Sequence, residues 1–127
     1  MAGLGRAGIH RIAMLTGDAP AVAARIGAAV VELHTGHYSD LHAEGRLAET
    51  EAELHALQRG AALAHALGLE VHAGHGLTYD NVGPIAAIPE VVELNIGHFL
   101  IGEAIFLGLE DALAEMRHRM DLARSQP

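Results

Sequence analysis

Two histidines and two glycines crowd into five positions at His72-Ala73-Gly74-His75-Gly76, straight after a short apolar run. Imidazole gives or takes a proton near neutral pH. Glycine lets a backbone approach a ligand closely or adopt φ > 0. A second cluster, Glu32-Leu33-His34-Thr35-Gly36-His37, closes another apolar run. The period of two in a strand puts Glu32 and His34 on one face, opposite Val31 and Leu33. A carboxylate on a buried face is costly unless paired, so Glu32 is either part of a site or satisfied by a neighbour in the core. A third string, Asn95-Ile96-Gly97-His98, precedes a helical stretch. There Gly97 gives an anion room, and the helix start supplies free N–H groups and its dipole. The same string also suits a plain strand-to-helix turn with His98 as a capping side chain.

The histidines permit a metal reading as well. His34/His37 and His72/His75 form two His-x-x-His pairs at strand ends, and imidazoles alone can hold zinc or a similar ion. Three-residue spacing on a loop does not fix ligand geometry as it would on a helix, so no metal is expected. His42, His55, His65 and His118 fall in helical stretches and read as surface or packing residues.

Such strand-end clusters need a scaffold, and composition narrows which one. The 127 residues are half apolar but only 3% aromatic, with 15 glycines, which favours close helix-on-sheet packing over a β-sandwich. A formal net charge of −8 argues against nucleic acid or an anionic membrane as partner. The chain has no cysteine, which removes disulfides and thiolate metal sites and fits a cytoplasmic setting. No apolar run reaches the ~18 residues of a membrane span, and the first eight residues lack the apolar core of a signal peptide.

The elements alternate. A strand is expected over Ile9–Leu15, and a helix capped by Asp18 with Pro20 in its first turn should stop at Gly27. A strand over Ala28–Leu33 is dense enough in valine and leucine for burial on both faces. A Ser39-Asp40 cap should open the longest helix, about His42–Leu67, with Gly45 marking a break or a frayed start. Its apolar stripe is Leu47, Leu54, Leu57, Ala61 and Ala64. Leu69–Ala73 is the third strand. A short helix with Pro84 in its first turn ends before Pro89. Val91–Asn95 is the fourth strand, followed by a short helix over Gly97–Leu107. A final amphipathic helix turns Leu109, Leu113, Met116 and Met120 inward and Glu110, Glu115, Arg117 and Arg119 outward. Residues 125–127 are expected to form a frayed tail.

Four βα units imply an α/β fold with a parallel sheet, either a small open sheet or half of a (β/α)8 barrel, since a full barrel takes ~250 residues. The extra short helix directly after the last strand favours the half-barrel, because barrels bind phosphate there.

Four strings then become specific: Glu32-Leu33-His34-Thr35-Gly36, Ala73-Gly74-His75-Gly76-Leu77-Thr78-Tyr79, Ile85-Ala86-Ala87-Ile88-Pro89 and Glu93-Leu94-Asn95-Ile96-Gly97-His98. Their order and context resemble the C-terminal half of the pyridoxine 5′-phosphate synthase family, (β/α)8-barrel enzymes of vitamin B6 biosynthesis. The resemblance runs from about Gly8 to Arg124 and makes residues 1–127 a single C-terminal half-barrel, without the family's N-terminal half. It implies condensation of 3-amino-2-oxopropyl phosphate with 1-deoxy-D-xylulose 5-phosphate, with phosphate released and no cofactor required. It casts His75 as proton donor, Glu32 as the carboxylate stabilising the transition state, Gly76 as a contact to the aminoketone phosphate, and Gly97 with His98 as the grip on its phosphate. The chain departs from the family at His72, usually Asn, and at His37, where a small residue is usual. Its first strand fits the family's pattern poorly.

The partners so implied are phosphorylated small molecules, and neither nucleic acid nor membrane. The alternative is a non-catalytic half-barrel module that binds phosphate compounds or a metal through its histidines. In either case a half-barrel leaves strand edges and a sheet face uncovered, so a homo-oligomer or association with the other half is expected.

Overall fold

The computed structural model describes residues 12–15, 20–25 and 27–125. Along the chain these form β1 (Ile12–Leu15), α1 (Pro20–Arg25), β2 (Val30–His34), α2 (Gly36–Ala43), α3 (Leu47–Ala66), β3 (Glu70–Gly74), α4 (Val82–Ala86), β4 (Val91–Asn95), α5 (His98–Leu107) and α6 (Leu109–Ser125). The strands lie in the order β1-β2-β3-β4, every neighbouring pair parallel. This is the expected α/β architecture, one open parallel sheet of alternating βα units that is consistent with part of a (β/α)8 barrel. The expected cap at Asp18 and the strand start at Ile9 fall outside the described residues. Among the described residues no helix is long and apolar enough to cross a membrane.

The helices cover one face of the sheet. Val31 and Leu33 of β2 and Val71 and Ala73 of β3 pack there against Leu57, Ala61 and Ala64 of α3, forming the centre of the core. At the β4 end, Val82 and Ile85 of α4 join Ala112 and Met116 of α6. The opposite face is different from the expectation of burial on both sides. In β2 burial alternates, with Val31 and Leu33 buried and Val30, Glu32 and His34 only half-buried. Register places Glu32 beside His72 and His72 beside Glu93. Parallel partners share a face, so this side of the sheet is a polar row rather than a second apolar surface.

His72 is buried within that row. Its Nε2 lies 2.7 Å from Glu70 Oε1 and its Nδ1 3.5 Å from Glu93 Oε1. The His72 imidazole thus stands between two carboxylates, both more than half exposed.

Several boundaries follow simple capping chemistry. Gly27, Gly45, Gly68 and Gly108 all take φ between +72° and +87°, the left-handed region that ends a helix cheaply only at glycine. Gly45 therefore breaks α2 from α3, one of the two outcomes expected of it.

α2 starts earlier than the expected Ser39-Asp40 cap. Ser39 and Asp40 lie inside the helix instead of capping it, because Thr35 is tied to β3. The Thr35 N–H donates to Gly74 O at 2.7 Å, and its buried hydroxyl sits 2.7 Å from Gly74 O and 2.6 Å from His75 O. The strand thus turns directly into a helix at Gly36.

Two helical faces also differ from expectation. Leu47 is 75% exposed while Thr50 is buried in its place, its hydroxyl donating to Arg46 O at 2.9 Å. In α6 the buried stripe is Ala112 and Met116 with Met120 partly covered, whereas Leu109 and Leu113 are exposed. Glu115 and Arg119 are not outward either. Arg119 lies over the Tyr79 ring at 5.3 Å, bonds Glu115, and donates to Tyr79 O at 3.2 Å. That clamp ties α6 to the loop following β3.

Candidate active site

The C-terminal ends of β2, β3 and β4 and the start of α5 enclose a cleft of about 530 Å³. Its walls include Glu32 and His34 from β2, His75 and Gly76 after β3, Asn95 from β4, and Gly97 and His98 at α5. All five residues singled out by sequence (Glu32, His75, Gly76, Gly97 and His98) therefore line one space, although they span 67 positions from 32 to 98.

Glu32 is held by Asn95, which in the sequence stands out only as part of the Asn95-Ile96-Gly97-His98 string. The Asn95 side-chain amide donates to Glu32 Oε2 at 2.8 Å. The two strands are not neighbours, since β3 runs between them, and Gly74 is the residue that lets them meet. A Cβ at Gly74 would stand 2.9 Å from Glu32 Oε1 and 2.7 Å from Asn95 O. The register does contain this signal: His34, Gly74 and Asn95 form one row across β2, β3 and β4, but strand pairing has to be known to read it.

His75 is the one described non-glycine residue at positive φ, +87°. A side chain there costs ~1–3 kcal/mol, and such strain concentrates at functional sites. Its carbonyl is held by the Thr35 hydroxyl at 2.6 Å, with Ser39 Oγ at 3.5 Å. Gly76 follows at φ +75°, and a Cβ there would sit 2.8 Å from Ser39 Cβ. Here glycine is required twice over, by conformation and by space.

The next turn is pinned by Asn81, whose Oδ1 accepts the Thr78 N–H at 2.8 Å and whose Nδ2 lies 3.4 Å from Gly76 O. Tyr38 of α2 donates its hydroxyl to Asn81 O at 2.9 Å. The loop carrying His75 is thus braced from α2.

At the far wall, Gly97 is the N-cap of α5 with no side-chain cap. The first intrahelical bond runs from Ile101 N–H to Gly97 O, 3.0 Å, so the N–H groups of residues 98–100 lie in the unpaired first turn. Gly97 has φ −114°, available to any residue. Nothing stands within 4 Å of a Cβ built on it. The glycine is thus a matter of open space beside the helix start, the property an approaching anion needs.

The histidine pairs do not converge on one point. Among the described residues no group of three or more His, Asp or Glu side chains is placed to hold a metal ion. His37 is exposed on α2, and His72 is engaged by Glu70 and Glu93. His34 stacks on His75, ring centroids 4.4 Å apart and planes 26° apart.

A parallel βα sheet with a polar cleft at the C-terminal ends of its strands belongs to the class of α/β proteins consistent with part of a (β/α)8 barrel. Comparison with known proteins narrows this. The model of the family described as pyridoxal phosphate biosynthesis protein PdxJ matches residues 4–122, and the chain belongs to that family. Pyridoxine 5′-phosphate synthase of Cereibacter sphaeroides is 73% identical over 101 residues, covering 80% of this chain and 40% of the relative. The enzymes of that name from Roseobacter denitrificans and Caulobacter vibrioides are 70% and 63% identical. Those matches cover 80% and 77% of this chain and 41% and 39% of the relatives. The chain thus spans about two fifths of the length of the curated relatives it matches.

Proposed function

We propose that the chain carries the aminoketone-phosphate half of a pyridoxine 5′-phosphate synthase active site, acting in vitamin B6 biosynthesis in the cytoplasm. The single observation that carries this reading is the shared cleft. A strained histidine, a carboxylate held by an amide, and an open helix start face one volume large enough for a small phosphorylated substrate.

In this reading the substrate phosphate rests on the first-turn N–H groups of α5 beside Gly97, with His98 as a further donor and Gly76 offering its backbone at the opposite wall. The His75 imidazole is the proton donor to the departing group. Glu32, oriented by Asn95, stabilises positive charge as it develops in the transition state. The condensation partner, 1-deoxy-D-xylulose 5-phosphate, belongs to the same proposal and rests on the family resemblance.

The phosphate wall can be tested alone. Titration of the purified chain with 3-amino-2-oxopropyl phosphate should show binding at millimolar concentration or below. Gly97→Ala should leave folding intact, because its φ is ordinary and the added methyl meets nothing. It should weaken binding about tenfold or more, as one charge-assisted hydrogen bond of ~1.5–3 kcal/mol is obstructed. Absence of binding at millimolar ligand removes the phosphate site from the proposal.

Assembly is part of the same reading. The polar inner face supplies little hydrophobic drive, but α5 and the start of α6 supply more: Ile101, Ile105, Phe106 and Leu109 are between 53% and 85% exposed. Covering each contributes ~1.5–3 kcal/mol. Among the described residues β1 and β4 also each present an unpaired edge, an invitation to pairing. The chain is expected to self-associate or to bind the complementary half of a barrel. Sedimentation should show species heavier than the 13.3 kDa monomer, shifted toward monomer by Phe106→Glu. A compact, cooperatively unfolding monomer overturns the half-barrel reading.

A further inference from the structure

The His34 imidazole lies against His75 in the cleft. Its Nδ1 accepts the Gly36 N–H at 3.3 Å. The neutral ring therefore carries its proton on Nε2, and its face is the one that meets His75 at 4.4 Å.

His75 itself has little else to orient it. Its carbonyl is anchored, but among the described residues no protein group hydrogen-bonds to its ring. A ring with a free χ2 samples a broad, two-fold well, which suits a proton donor poorly, since proton transfer demands reach within hydrogen-bond distance. The stack removes that freedom from one side.

Gly36 completes the arrangement. It lies in helical conformation as the first residue of α2, so no backbone demand explains a glycine there. A Cβ at this position, however, would stand 2.5 Å from His34 Cε1 and 2.9 Å from His75 Cδ2. Both rings pack over the Gly36 Cα. The Thr35-Gly36 pair thus does two jobs: Thr35 holds the His75 carbonyl, and Gly36 leaves the space in which the rings stack.

We propose that His34 is a positioning residue for His75, its ring face holding the His75 imidazole toward the cleft over a floor formed by Gly36. The proposal rests on the reading of His75 as proton donor and adds to it the element that aims the ring.

Heteronuclear NMR of the imidazole signals tests it on the purified chain. In the wild type the His75 ring protons should show a ring-current displacement, and His34 should have the nitrogen signature of an unprotonated Nδ1. His34→Phe keeps the ring face and volume and should retain the His75 displacement, whereas His34→Ala should lose it. Gly36→Ala should lose it too, and circular dichroism separates this from unfolding. His75 signals unchanged in His34→Ala overturn the proposal. In the active assembly, His34→Ala should lower kcat about tenfold to a hundredfold with KM little changed, and His34→Phe should recover most of the loss. If His75→Ala slows turnover and His34→Ala does not, the site stands and the positioning role falls. If His75→Ala itself changes nothing, the reading of His75 as donor falls, while the NMR result still decides whether His34 orients the ring.

Discussion

His75→Ala is expected to slow turnover by ~10²–10⁴ in the active assembly, the range general acid catalysis contributes. That corresponds to about 3–5 kcal/mol of transition-state stabilisation. The expectation follows from position: His75 sits at the strand end at φ +87°, facing a cleft also lined by Glu32 and Gly97. Alanine at positive φ remains strained, so the variant should be no more stable than the parent through relief of backbone conformation. Phosphate binding should change far less than kcat, because the helix-start donors of α5 lie across the cleft and do not depend on the imidazole. The informative measurement is therefore a pair, steady-state kinetics beside a binding titration. Turnover equal to the wild type would take His75 out of the mechanism. Loss of binding and turnover together would make His75 a binding residue instead.

The features that sequence reveals best here are those decided by neighbours along the chain. Gly27 and Gly68 end helices because the left-handed conformation is cheap only for glycine, and both stand at φ +72° and +79°. The strand-end clusters at Glu32 and His75 are likewise legible, since a carboxylate within an apolar strand requires either a partner or a site.

What escaped depends on partners distant in sequence. Ser39-Asp40 has the composition of a helix cap, yet the helix starts at Gly36 because Thr35 is bonded to Gly74, 39 positions away. Leu109 and Leu113 look like an inward stripe by hydrophobicity. The buried positions of α6 are instead Ala112 and Met116, in a helix that packs against both α4 and α5. The Glu32–Asn95 pair spans 63 positions and passes over a glycine in the intervening strand. No local pattern encodes it. The polar inner row of Glu32, His72 and Glu93 was missed for a related reason: valine-rich strands suggest burial on both faces, and only the register shows which residues share a side.

Tyr38→Ala is expected to destabilise the fold by about 3–5 kcal/mol, as large-to-small changes of buried aromatics do, a large share of a typical ~5–15 kcal/mol. Among the described residues Tyr38 is the largest fully buried side chain, 1% exposed. It also joins α2 to the loop after β3 through its hydroxyl bond to Asn81 O at 2.9 Å. Truncation thus leaves a cavity and strips a donor from a buried carbonyl. Tyr38→Phe isolates the second effect: volume is kept, and the cost should fall to about 1–3 kcal/mol. The hydroxyl also predicts a pH dependence. Burial raises the Tyr38 phenol above its ordinary 10.0, so the folded state favours the protonated form. Its contribution is fully present below about pH 10 and is lost as pH rises through the folded value. Denaturant unfolding at fixed protein concentration, run at pH 8 and above pH 10, should show an alkaline loss of stability that Tyr38→Phe reduces. Because Asn81 also holds Thr78 and Gly76, Tyr38→Phe should in addition loosen the loop behind His75. Hydrogen exchange at residues 76–81 should quicken in that variant while α3 stays protected. Equal exchange in the two proteins would mean that the brace from α2 does not hold the site.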